Sequence, residues 1–187
     1  MNTAKKAKPI AVGPRNDPEI AALITEMRDE FASRGVDLSL VTPEEVTEMR
    51  KAPGRPLAIP PRAYWPMMAR TLVEGFMPIR KALGIPINIY NGYRPSDYNA
   101  AVGGKPGSRH QWFQAIDMIP MGGGAAARRE LALLAAAFYV SRGQELKVGF
   151  GTYGDPSSPS GVHIDTGFSR RTWGDAAHFI AQAQGVA

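Results

Sequence analysis

Two segments of the chain carry residue types that bind a divalent metal ion. His110 and Asp117 lie in Ser-Arg-His-Gln-Trp-Phe-Gln-Ala-Ile-Asp, and His163 and Asp165 lie in Gly-Val-His-Ile-Asp-Thr-Gly. A catalytic zinc site uses imidazole and carboxylate ligands, three from the protein, and leaves a fourth position open. Because the chain has no cysteine, thiolate sites are excluded and any metal must be bound through nitrogen and oxygen.

The local sequence pattern constrains how these side chains point. In a strand, His163 and Asp165 lie on one face, so the residues between and beside them point toward a core. His110 and Asp117 are seven residues apart, which would place them on opposite faces of an unbroken strand. Residues 115–119 are typical of a strand, and we therefore expect His110 to come from the loop before it.

Helical and strand patterns interleave along the chain without regular βαβ spacing, which predicts an α+β fold. We expect a small antiparallel sheet with flanking helices. The predicted helices cover 17–35, 42–50, 64–83 with a kink or a division at Pro78, 125–142 ending at Gly143, and 174–184; the predicted strands cover 85–90, 115–119, 147–150 and 162–165.

Composition divides the chain into three predicted parts. Residues 1–16 carry lysine and arginine among alanine, proline and glycine, which is typical of a flexible basic tail. Residues 17–58 form an N-terminal helical extension, which ends in a connecting loop rich in proline and glycine. Residues 59–187 form the main domain.

Length and charge limit the classes of function. The 187 residues suffice for one domain, and no apolar run reaches the roughly 20 residues of a membrane span. The basic start lacks an apolar segment typical of a secretory signal, so we expect synthesis in the cytoplasm without a signal peptide. The net charge of +5 favours a polyanionic partner, but no recognition motif accompanies it, and we expect no nucleic-acid binding.

Several motifs then occur in a recognisable order. They are residues 92–104 (Gly-Tyr-Arg-Pro-Ser-Asp-Tyr-Asn-Ala-Ala-Val-Gly-Gly), Ser108-x-His110, Ala115-x-Asp117, residues 149–151 (Gly-Phe-Gly) and residues 162–167 (Val-His-Ile-Asp-Thr-Gly). This set resembles the zinc D-alanyl-D-alanine carboxypeptidase family, which has the Hedgehog-type peptidase fold, and within it the branch with murein endopeptidases and phage endolysins. The resemblance covers roughly residues 60–173 and leaves out the first 55 or so.

The resemblance implies a role for each matching residue. His110, Asp117 and His163 match the ligands of a zinc ion, which activates a water molecule for attack on a peptide carbonyl. Arg94 matches the arginine that binds substrate oxygen and assists catalysis. Asp165 is the expected catalytic base; the alternative is that Asp165 binds the metal while His163 acts as base. The residues expected to contact substrate are Arg94, Tyr93, Ser108 and Tyr153.

The resemblance also implies a substrate, the peptides of peptidoglycan. We expect a zinc peptidase that cuts stem or cross-link peptides, with carboxypeptidase and endopeptidase action both open. A phage endolysin or virion-associated lysin acting at the bacterial wall fits this expectation.

Phe113 departs from the family, which usually has glycine three residues after the first ligand. This departure motivates a second hypothesis, a catalytically silent virion or envelope protein. Such a protein would use the same fold to bind wall polymer, or a partner protein through the N-terminal extension.

Overall fold

The fold combines a five-stranded sheet with helices and a small two-stranded sheet. A computed structural model describes residues 8–185. Its helices are α1 (Pro18–Ser33), α2 (Pro43–Thr47), α3 (Trp65–Thr71), α4 (Met77–Leu83), α5 (Ser96–Ala101), α6 (Gly124–Leu146) and α7 (Ala176–Ala183). Its strands are β1 (Ala11–Gly13), β2 (Leu57–Ile59), β3 (Ile87–Asn91), β4 (Ala115–Pro120), β5 (Gly149–Tyr153), β6 (Gly161–Asp165) and β7 (Arg171–Trp173). This architecture confirms the predicted α+β class.

The register of the large sheet brings the two metal-ligand segments together. The strand order is β3-β4-β6-β5-β7, and every neighbouring pair is antiparallel except β5 and β7. Strands β4 and β6 pair so that Asp117 lies directly opposite His163. Because residues directly opposite each other point to the same face, this register places a carboxylate beside an imidazole.

The other face of the sheet is the hydrophobic core. Ile116 and Ile164 also lie opposite each other in β4 and β6, and both are fully buried. They belong to the same buried cluster as Leu131 and Phe138 of α6. The strands therefore have one face for chemistry and one for packing, as the alternation of residue types predicted.

The N-terminal helices pack into the same core. Asp17 caps α1 by accepting from the backbone amide of Glu19, and the apolar stripe of α1 ends in the fully buried Phe31. In α2, the Val46 carbonyl accepts a hydrogen bond of 2.7 Å from the amide of Tyr93. A Cβ atom at Gly92 would overlap the same carbonyl, so this glycine allows α2 to reach the end of β3.

The N-terminal region differs from the sequence expectation at two places. The predicted flexible tail contains β1, which pairs with β2 in the stretch predicted as a loop. The amide of Ile10 also donates to the Ile59 carbonyl. Residues 1–7 of the predicted tail lie outside the described residues.

The predicted helix over 64–83 is divided just before Pro78, which was expected to kink or divide it. A π-helical turn, Leu72–Phe76, joins α3 to α4. Pro78 has no amide hydrogen for the carbonyl of residue 74, and a wider turn just before it accommodates that missing bond.

Helix α6 continues past Gly143, which was expected to end it. Glycine inside a helix costs only about 1 kcal/mol relative to alanine, so it does not by itself end one. A Cβ atom at Gly143 would lie 2.9 Å from Arg170 Nε, so the glycine leaves room for that side chain. The helix ends instead at Leu146, and the next residue, Lys147, has a left-handed backbone with φ of 53°.

The helices of residues 8–185 include none with the length and apolar character that crossing a membrane requires.

Candidate metal centre

Three side chains converge on one point at the face of β4 and β6. His110 Nε2 lies 3.2 Å from His163 Nδ1, His163 Nδ1 lies 2.8 Å from Asp117 Oδ1, and His110 Nε2 lies 3.2 Å from Asp117 Oδ2. A tetrahedral zinc ion with bonds of about 2.0–2.1 Å separates its ligand atoms by about 3.3 Å. Each pair of residues therefore has donor atoms 2.8–3.2 Å apart, counting either oxygen of Asp117, which is close to the spacing that a zinc ion requires.

The outer nitrogen of each imidazole is bound to an acceptor. His110 Nδ1 donates to the Gly92 carbonyl oxygen over 2.8 Å, and His163 Nε2 donates to Asp165 Oδ2 over 2.8 Å. Because both partners accept, each outer nitrogen carries a hydrogen, and a neutral imidazole then directs a lone pair inward. This is the usual arrangement of metal-binding histidines, in which a carbonyl or carboxylate fixes the ring.

The three converging donor groups are electrostatically stable together only with a positive charge between them. All three residues are buried, with exposed fractions between 1% and 4%. Two lone pairs and a carboxylate repel one another there unless a cation lies between them. A divalent metal ion satisfies all three at once, so the residues present fit zinc by donor type, number and spacing.

A proton on His163 is the competitor of the metal. Burial alone would lower the pKa of His163, but its hydrogen bonds with Asp117 and Asp165 outweigh burial and raise that pKa. For His110, burial dominates and lowers the pKa. Burial alone would raise the pKa of Asp117, yet the two histidines hold it well below its usual range. Asp117 is therefore ionised and ready to bind a cation.

Asp117 is also held by three neighbours. Arg94 Nη2 donates to Asp117 Oδ2 over 2.7 Å, and Asn91 Nδ2 donates to the same oxygen over 3.0 Å. Tyr153 donates its hydroxyl hydrogen to Asp117 Oδ1 over 3.1 Å. These bonds fix the orientation of the carboxylate and offset the cost of burying it.

Asp165 lies behind His163, away from the triangle. It is fully buried, is outside the three-residue cluster, and accepts a bond of 2.6 Å from Arg171 Nη2. It does not line the cavity at the site. A base must reach the attacking water and a ligand must reach the metal, so both expected roles of Asp165 stay predictions. Its position fits a positioning role, in which the carboxylate holds the ring of His163.

A cavity of about 600 Å³ opens beside the cluster. Its lining includes His110 and His163, and also Arg94, Ser108 and Tyr153 from the residues predicted to contact substrate. Tyr93 does not line it: its ring is 1% exposed and packs edge-on against Phe113, with centroids 5.9 Å apart. The chain alternates sides around this point, so Arg94 faces the cavity while Tyr93 faces the core, which corrects the expectation for Tyr93.

Phe113 takes the backbone conformation that favours glycine. Its φ and ψ are 53° and 43°, in the left-handed region, and it follows the short 3₁₀ turn Arg109–Trp112 that carries His110. Its ring is fully buried and stacks on Phe31 of α1, with centroids 6.3 Å apart. The phenylalanine therefore keeps the turn, and the N-terminal helix supplies the packing for its ring.

Sequence reasoning missed three residues at the site. Trp173 of β7 packs edge-on against His163, with centroids 4.7 Å apart, and lines the cavity with Arg171. Asn91 occupies the last position of β3, one residue beyond the strand predicted over 85–90. The three-residue strand β7 carries too short a pattern to be identified, so no sequence signal places its side chains at the metal cluster.

We predict that the purified chain binds one zinc ion per molecule and that the affinity falls as the pH decreases. Below the raised pKa of His163 a proton occupies Nδ1, so affinity should fall by about tenfold per pH unit for each proton released on binding. Calorimetric titration between about pH 8 and pH 6 measures this dependence.

The His110→Ala variant should no longer bind one zinc ion per molecule, because it lacks one of the three ligands. His178→Ala is the matched control, because His178 lies on α7 and contacts Gln182 at 2.7 Å instead of the cluster. Zinc retained at full affinity by His110→Ala would contradict the assignment.

We also predict that Phe113→Gly is more stable than Phe113→Ala. Both variants lose the buried ring and should be about 3–5 kcal/mol less stable than the wild type. The alanine variant should lose about 1 kcal/mol more, because only glycine adopts the left-handed conformation without strain. Urea denaturation measures the difference, and equal or reversed stabilities would show that the turn is not left-handed.

Comparison with known proteins agrees with the geometry of this site. No curated protein matches the chain. A family model described as Peptidase M15 matches residues 25–165, so the match begins within α1, earlier than the resemblance in the sequence indicated. M15 peptidases are zinc-dependent, and the cluster of His110, Asp117 and His163 supplies ligands for such an ion. The chain belongs to the Peptidase M15 family of metallopeptidases.

Proposed function

We propose that this protein is a zinc-dependent peptidase that hydrolyses the stem or cross-link peptides of peptidoglycan. The single observation that carries the proposal is the triangle of His110, Asp117 and His163 beside an open cavity. Membership of the Peptidase M15 family supports peptide hydrolysis. The net charge of +5 favours approach to the anionic polymers of a bacterial wall.

The chain's own residues have distinct tasks in this reaction. Zinc held by the three ligands would activate water and polarise the peptide carbonyl. Arg94 lines the cavity with its guanidinium beside Asp117, where it can donate to a substrate oxygen. Its Nη2 atom binds Asp117, and its buried Nε atom has no hydrogen-bond partner among residues 8–185.

Tyr153 supplies a second donor at the cavity. Burial and the neighbouring carboxylate of Asp117 raise the pKa of its hydroxyl group, so the group remains protonated. The single hydroxyl hydrogen of Tyr153 binds Asp117 Oδ1 in this structure, and when it turns from there to the cavity it can donate to the oxygen on which negative charge develops. Arg94 and Tyr153 together therefore form the electrophilic side of the proposed site.

Asp165 acts through His163 in this proposal. Arg171 and His163 both donate to its Oδ2 atom, which fixes the imidazole ring with Nδ1 facing the metal position. The residue is thus a positioning residue, and no aspartate or glutamate of the described chain lines the cavity to serve as base. Solvent in the open cavity would then take the proton of the attacking water and supply one to the leaving amine.

The type of peptidase and its biological role are inferred from the sequence resemblance. Carboxypeptidase and endopeptidase action both fit an open cavity, and an endolysin role at the bacterial wall stays a prediction. The non-catalytic alternative was motivated by Phe113, and the left-handed backbone at Phe113 accounts for that residue without loss of the site.

The experiment that tests the proposal is digestion of purified sacculi and of synthetic peptides ending in D-Ala-D-Ala. The zinc-loaded chain should release peptide fragments or D-alanine, a chelator should stop the reaction, and added zinc should restore it. Release of D-alanine would identify a carboxypeptidase, and cleavage within cross-links would identify an endopeptidase. A wild-type chain that carries one zinc ion and leaves both substrates intact would contradict the proposal.

A second prediction separates the two roles considered for Asp165. If Asp165 positions His163, Asp165→Asn should weaken zinc binding by about 10–100-fold, and saturating zinc should restore much of the activity. A catalytic base would behave differently, with normal zinc affinity and a loss of kcat that zinc does not restore. Zinc titration and steady-state kinetics on the same preparation distinguish these outcomes.

A further inference from the structure

The cavity beside the metal cluster is lined by an excess of positive charge. Four cationic side chains line it: Arg94, Lys105, Arg109 and Arg171. No aspartate or glutamate of residues 8–185 is part of that lining. Two of the four have carboxylate partners, because Arg94 pairs with Asp117 at 2.7 Å and Arg171 pairs with Asp165 at 2.6 Å.

Lys105 and Arg109 have no carboxylate partner in the described part of the chain, but Lys105 is exposed, whereas Arg109 is half-buried. No hydrogen bond or ion pair joins its guanidinium group to another residue of the range 8–185, and its Nε atom is buried and unpartnered. The group lies over the ring of Phe168, with the guanidinium carbon 3.7 Å from the ring centroid. This cation–π contact fixes the plane of the guanidinium group while leaving its donors unused.

The position of Arg109 is electrostatically unfavourable without an anion. Arg109 is half-buried, and it lines the same cavity as a second cation, Arg171, so two positive charges share a partly enclosed space. Arg171 is itself held in place by Asp165 and by contact with Trp173, with its guanidinium carbon 5.4 Å from the ring centroid. Two arginines are thus held near each other at the mouth of the metal site, one of them with free donors.

We propose that Arg109, assisted by Arg171, binds a carboxylate group of the peptide substrate in addition to the groups bound at the metal and Arg94. The planar fork of donors on arginine matches a carboxylate in two-bond geometry. This inference rests on the proposed peptidase function, since a peptide occupying the cavity brings carboxylates as its anionic groups. The protein therefore selects acidic peptides over their amidated counterparts.

Two carboxylates of a stem peptide could fill this subsite, the C-terminal one or the α-carboxylate of a D-glutamyl residue. The test uses three synthetic stem peptides: the parent, its C-terminal amide and its glutamyl α-amide. Stopped-flow tryptophan fluorescence of the zinc-loaded full chain measures each dissociation constant before turnover, because Trp173 lines the cavity. Product analysis then gives kcat/KM for the same peptides.

The Arg109→Gln variant should bind the parent peptide with an affinity at least about tenfold lower than that of the wild type. The same substitution should have much less effect on one of the two amides, and that amide identifies the bound carboxylate. Arg109→Lys should show an intermediate loss, because it keeps the charge without the fork. Arg170→Gln is the matched control, because Arg170 also stacks on a ring, that of Tyr139, but does not line the cavity.

Three results would overturn the inference: equal affinity of Arg109→Gln and wild type for the parent, an equal loss for all three peptides, or no binding of any peptide by the wild type. One zinc ion per chain in each variant shows that the metal site is intact. Selective binding through Arg109 without cleavage would support the carboxylate subsite and contradict the proposed peptidase function, so the two failures are distinguishable.

Discussion

Two imidazole lone pairs and one carboxylate are held within about a hydrogen-bond distance of one another in a buried place, and much of the structure serves to keep them there. Strand pairing sets Asp117 beside His163, and a short 3₁₀ turn brings His110 to both. The outer nitrogens are fixed by Gly92 and Asp165, so the inner ones have no freedom to turn away. Such an arrangement is costly unless a cation neutralises it.

The supporting residues extend this constraint into regions far from the metal ligands in sequence. Gly92 binds His110 through its carbonyl, and its lack of a side chain lets α2 approach. Phe113 continues the turn after His110 and packs on Phe31 of α1. The N-terminal helices are therefore part of the packing that holds the site, and the Peptidase M15 match accordingly begins within α1.

The sequence predicted best where a local pattern determines the outcome. Alternation in residues 161–165 predicted which face His163 would occupy, and the β-like run after residue 114 predicted that His110 would come from a preceding loop. The capping residue and the apolar spacing of α1 likewise predicted a helix there. These features depend on residues within one turn or one strand, so they can be predicted from a single sequence.

Other features depend on contacts that no local pattern records. Tyr93 and Arg94 are adjacent in sequence, and only the packing of Phe113 decides that the tyrosine belongs to the core. Asp165 was expected to act as base or ligand, and the structure adds that it accepts hydrogen bonds from the outer nitrogen of His163 and from Arg171 of the three-residue strand β7. The strand β1 needed β2 as a partner, and each is too short to be identified alone.

The most direct test of this account is anomalous diffraction at the zinc edge from crystals grown with one equivalent of zinc. The account predicts a single strong peak within about 2.3 Å of His110 Nε2, His163 Nδ1 and an oxygen of Asp117. A peak elsewhere, or a peak that leaves out any of these three atoms, would contradict it.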